Sequence, residues 1–209
     1  SGVTTPYLSR PTHPGQGPYG NTVRMSPHGR RGRIVKWRVD ESPGPNSGRY
    51  SRNTPQQNPN MFFVFGDNLQ RSGTGGQAVI RNNPNVIGIP TKVAPGTGEG
   101  DYFDVDPDKP YAQPPREGRL ETSYMGTEYT TPRQQVDSAL MQIEEVLSRG
   151  FDVAIPWGID PVTGKEGALI GSGLADLHNK SPELYAHIQN KVNQAVEFSE
   201  DHPDESRWR

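Results

Sequence analysis

Phe62-Phe-Val-Phe-Gly-Asp-Asn-Leu-Gln-Arg-Ser-Gly-Thr-Gly-Gly-Gln77 is the stretch that decides the fold. It opens inside a short continuous apolar run, Met61–Phe65, which suits a parallel strand buried on both faces. The run breaks at Gly66-Asp67-Asn68 into a loop whose glycines, Gly73, Gly75 and Gly76, with Gln77, lead into a brief helix predicted over 76–82. Glycine lets the backbone approach a ligand closely, and successive exposed N–H groups form a concavity for anions. A helix N-terminus behind them would add to that attraction. Asn68 is placed to hydrogen-bond a sugar hydroxyl. A tight structural turn is the competing reading, because turns favour the same residues. No Lys-Ser/Thr follows the glycines and no acid lies about 20 residues beyond a GxGxxG, so this is neither a Walker loop nor the dinucleotide fingerprint.

A second stretch, residues 155–177, repeats the design. A strand predicted over Asp152–Pro156 gives way to a long loop that ends in Ile170-Gly171-Ser172-Gly173-Leu174. A lone GxG carries little weight. The two stretches together carry more, since loops at the carboxyl ends of neighbouring parallel strands converge on one crevice. The pair points to a phosphate-bearing small molecule held between two loops.

Outward from these loops the pattern is alternating. Val86–Ile89 reads as a strand ended by Pro90, with Lys92 just beyond it. A lysine at a strand's carboxyl end, if desolvated, can act as nucleophile or base; a solvated surface lysine is the alternative. Residues 93–131 read as a long proline-rich loop, of the kind that is functional or wraps the surface. Helix 132–149 has Thr131 as cap, Pro132 at its first position, one apolar stripe from Val136 to Leu147 and Gly150 as terminator. Ser181-Pro182-Glu183 opens a last helix with Leu184, Ile188, Val192 and Ala195 on one face. This order favours an α/β fold: a three-layer, mainly parallel sheet covered by helices.

The first 60 residues differ. They hold nine prolines and eight glycines with almost no apolar periodicity. Only Arg33–Val39 alternates, with Val35, Trp37 and Val39 on one side, and reads as an edge strand. The expected division is a basic arm over 1–32, this strand plus a linker over 33–60, the α/β domain over 61–198 and a charged tail over 199–209. Charge is uneven: nine Lys/Arg face two acids up to Arg52, and 13 face 22 beyond it. The basic centre, His28-Gly-Arg-Arg-Gly-Arg33, admits nucleic acid as a partner, but aromatic stacking residues are sparse there. It could equally pack on an acidic surface of its own domain or of a neighbouring subunit.

Other chemistry is narrowed by composition. The chain has no cysteine, so disulfides and thiolate zinc sites are excluded. Its five histidines are scattered. Asp104-x-Asp106-x-Asp108 begins like a calcium loop, yet Lys109 and Pro115 stand where glycine and glutamate are needed. No metal and no cofactor is expected. No apolar run approaches the roughly 18 residues that span a membrane. No secretory-type segment opens the chain, and its start at Ser1 reads as a lost initiator Met or a trimmed end.

Together these residues resemble the macrodomain family, which binds ADP-ribose. Asn68 and Gly73–Gln77 match its first ligand loop, and Ile170–Leu174 its second. The resemblance is nearest to the terminal ADP-ribose protein glycohydrolase branch, and closer still to macrodomain-like proteins of phages and bacteria with a Phe-Gly-Asp-Asn-Leu segment. It covers about 61–195, or 33–195 when the first strand and Asp40 are counted. It implies ADP-ribose or a related nucleotide as ligand, with hydrolysis of ADP-ribosyl linkages as an activity. Lys92 stands at the position of the attacking lysine. Ala175 occupies the position of the assisting aspartate, with Asp176 one residue later. Asp40, after the first strand, stands where the family receives the adenine amino group. The implied setting is the cytoplasm of a bacterial host. The alternative is a virion structural or assembly protein that docks on neighbouring subunits through residues 1–32.

Overall fold

The computed structural model describes residues 31–112 and 129–201. Most of the expected basic arm and the end of the charged tail lie outside the described residues. The elements in chain order are β1 (Ile34–Arg38), β2 (Met61–Asn68), β3 (Val86–Lys92), β4 (Tyr111–Ala112), β5 (Tyr129–Thr130), α1 (Pro132–Ser148), β6 (Asp152–Ile159), β7 (Glu166–Ala168), α2 (Leu177–Lys180) and α3 (Pro182–Asp201). Five strands form the main sheet. Four run parallel in the order β1-β6-β2-β3, and β7 lies antiparallel on β6. The fold is α/β with a mostly parallel central sheet and helices against it.

Period-two patterning sorts the sheet residues onto two faces. Phe62, Val64, Ile87, Ile89, Val153 and Ile155 point to one side and pack with the apolar stripes of α1 and α3. Phe63, Phe65, Val86, Ala154 and Trp37 point to the other. That second face does not receive an α-helix among the described residues. The segment after β1 and a five-residue 3-10 turn, Gly76–Ile80, cover it instead. This segment is held by side chains in place of a helical stripe. Trp37 Nε1 donates to Gly48 O at 3.0 Å and Tyr50 Oη to Val64 O at 2.9 Å. Asn85 Nδ2 donates to both Pro55 O and Met61 O. The expected linker over 33–60 is therefore part of the fold, with β1 paired along its whole length to β6.

Some boundaries match the expectation and others differ for local reasons. α1 keeps its predicted cap: Gln134 N donates to Thr131 Oγ1 at 3.2 Å, and Thr131 N donates to Gln134 Oε1 at 3.0 Å. β3 runs through Pro90 to Lys92 rather than ending at Ile89. Pro90 is tolerated because β3 is the last strand of the sheet and a register shift falls beside it, between Asp67 and Asn68. β7 and the four-residue α2 were not legible as elements, being too short to show a period.

One departure from regularity creates the site. β2 pairs with β6 only over Met61–Phe63 and Asp152–Ala154. Beyond that the two strands part. Trp157 O accepts from Val39 N on the β1 side, and Pro156 O accepts from Leu169 N. β7 and Leu169 after it thus take over the edge of β6 that β2 leaves.

Candidate functional site

One side chain, that of Gln77, ties the end of β2 to Leu169, the residue that follows β7. Gln77 Oε1 accepts from Gly66 N at 2.9 Å, and Gln77 Nε2 donates to Leu169 O at 2.7 Å. Gln77, expected as a ligand residue, lines the cleft, but its amide is engaged in closing the parted strands.

Around this bridge the two glycine loops meet. A methyl group placed on Gly66 would lie 3.8 Å from Gly171 N, and one on Gly76 would lie 3.2 Å from Leu174 Cδ1. Between them opens a cleft of about 490 Å³. One wall is built from Gly66, Asp67, Asn68, Gly73, Gly75, Gly76 and Gln77. Gly171, Gly173 and Leu174 stand opposite. Thr91, Lys92 and Pro95 complete the β3 end.

Three glycines of the cleft stand at positive φ, Gly73 at +85°, Gly76 at +58° and Gly171 at +92°, a region that side-chain-bearing residues rarely adopt. The helix expected after the first loop is only the 3-10 turn, which aligns too few peptide dipoles to act as an anion site. The cations that line the cleft are Lys92 and Arg49.

Asn68 and Asp67 are 6% and 3% exposed. Asn68 lines the cleft, and its Nδ2 donates to Ser72 O at 2.8 Å, which shapes the first loop. Asp67 pairs with Arg81, and burial pushes its carboxyl pKa up while Arg81 opposes the rise.

Lys92 is buried at the β3 end of the cleft. Its Nζ donates to Gly96 O at 2.6 Å and lies 4.5 Å from the centre of the Tyr102 ring.

Three expected residues stand apart from the cleft wall. Asp176 adopts a left-handed conformation at the start of α2, and its Oδ1 accepts from Asn179 Nδ2 at 2.7 Å. Ala175 lines the cleft in its stead. Ser172 turns toward Tyr185. Asp40 is exposed beyond β1, with Oδ2 3.4 Å from Ile159 N.

Sequence reasoning missed Val39, Arg49 and Tyr50 as site residues; they line the β1 side. Arg49 and Tyr50 sit in a stretch without periodicity. The packing of Tyr50 on Phe63, with ring centres 5.7 Å apart, and its hydroxyl bond to Val64 O bring them to the site. Among the described residues no group of three or more His, Cys, Asp or Glu could hold a metal, and no helix is long and apolar enough to cross a membrane.

A family of unknown function (DUF7831) matches residues 45–117. That segment carries Arg49, the first glycine loop and Lys92, and leaves out the second loop. No curated protein and no solved structure matches the chain.

Proposed function

We propose that this protein is a macrodomain-like module that binds ADP-ribose or a related nucleotide diphosphate in the cleft. The observation that carries the reading is the convergence of both glycine loops on one cleft whose wall holds Lys92 and Arg49. The diphosphate would lie against the loop amides, with Lys92 supplying charge. Binding is better supported than hydrolysis. Lys92 is at hand for attack on an anomeric carbon, but the carboxylate of Asp176 is bonded to Asn179 and off the wall.

Calorimetry with ADP-ribose tests the reading. Gly173 suits the control, since a methyl group there would meet nothing within 4 Å. The wild type should release or absorb heat on titration, and Gly173→Leu should bind more weakly while melting at the same temperature. No heat at about 1 mM ligand, a concentration that reveals even weak sites, would reject it.

A further inference from the structure

We propose that Arg49 makes the cleft selective for a ligand with a second anionic group: a nucleotide diphosphate that carries an additional phosphate at its nucleoside end. The inference rests on the reading that the glycine loops hold the diphosphate.

The cleft runs across the carboxyl ends of the strands, from Lys92 on β3 to Val39 beyond β1. Its charges are unequally committed. Asp67 is compensated by Arg81. Lys92 is engaged by Gly96 O and by the Tyr102 ring. Arg49 is exposed, and its side chain makes no hydrogen bond or ion pair among the described residues.

The root of Arg49 is nonetheless fixed. Tyr50, the next residue, is 4% exposed and tied to Val64 O through its hydroxyl. A guanidinium on an anchored backbone is a donor-only group with a planar fork that matches phosphate. It cannot receive an amino group. Asp40, expected to do so, is not among the residues that line the cleft. Val39 is apolar and the Tyr50 hydroxyl is bonded to Val64 O, so the group the β1 end of the cleft offers a ligand is the Arg49 guanidinium, whose partner is an anionic acceptor.

The test is calorimetric titration of the full chain with ADP-ribose and with ADP-ribose 2′-phosphate. Wild type should prefer the phosphorylated ligand by about tenfold or more, the scale of one charge-assisted hydrogen bond. Arg49→Gln should bring the ratio of affinities near one, and Arg49→Lys should keep part of it. Equal affinities in the wild type, or a preference that survives in Arg49→Gln, would overturn the inference and leave the diphosphate reading standing. Failure of the wild type to bind either ligand would overturn both.

Discussion

Arg81 Nη2 lies 2.5 Å from Oδ1 of Asp67, a carboxylate whose side chain is fully buried under the first glycine loop. The same guanidinium donates through Nε to Gly73 O at 2.9 Å and through Nη2 to Ser72 O at 3.0 Å. One side chain thus joins the end of β2 to the loop that forms a wall of the cleft.

Arg81→Gln should be among the most destabilising single changes. It leaves a buried carboxylate without its cation, which costs about 3–5 kcal/mol. The loss should depend on pH. Burial raises the Asp67 pKa, so the folded state holds its proton more firmly than the unfolded state. Stability contributed this way falls as pH rises through the window above the ordinary carboxylate range. Removing Arg81 raises the folded pKa further and widens that window. Urea unfolding should show a smaller penalty for Arg81→Gln at about pH 4.5 than at about pH 7.5, both chosen around the usual carboxylate pKa of about 4. A penalty independent of pH would contradict this.

Gln77→Ala removes both partners of the bridge between the parted strands. The half-buried N–H of Gly66 and C=O of Leu169 would lose their partner, at about 0.5–1.5 kcal/mol each, the net worth of an ordinary hydrogen bond. Hydrogen exchange at Gly66 should accelerate more than exchange at the centre of β2. Unchanged protection at Gly66 would show that the bridge is not needed.

β2, β3 and β6 were legible because they are largely continuous apolar runs, β1 because it alternates, and α1 because cap, stripe and terminator agree. The meeting of the loops was legible as well, from their common position after strands. The roles inside the loops were not. Asn68, Asp67 and Gln77 read as ligand contacts in sequence; they line the cleft, and they also hold Ser72, Arg81, Gly66 and Leu169. Nothing local distinguishes those uses. Arg49 was hidden for the opposite reason: it lies in an irregular segment positioned by tertiary packing alone.

Gly171 and Gly173 should respond differently to alanine. Gly171 has φ +92°, and a methyl group there would meet Leu177 Cβ at 3.0 Å. Gly171→Ala should cost about 1–3 kcal/mol in strain. Gly173 has open space around it, so Gly173→Ala should leave the melting temperature nearly unchanged. Equal effects at the two sites would refute the assigned geometry.

Tyr185 links α3 to the second loop. Its hydroxyl donates to Asp160 Oδ1 at 3.0 Å, and Gln189 Nε2 donates to Ala168 O at 2.7 Å beside it. Burial, then the hydrogen bond to Asp160, pushes the Tyr185 pKa up to about 12. The folded state therefore keeps this proton where the unfolded chain, at about 10, loses it. Stability should fall as pH rises from about 10 toward 12. Tyr50, buried and also raised, adds to the same slope. Tyr185→Phe should lessen the alkaline slope without abolishing it, and should loosen the second loop by freeing Ser172. Denaturant unfolding across that range measures the slope, and an unaltered slope in Tyr185→Phe would show that Tyr185 does not hold its proton through Asp160.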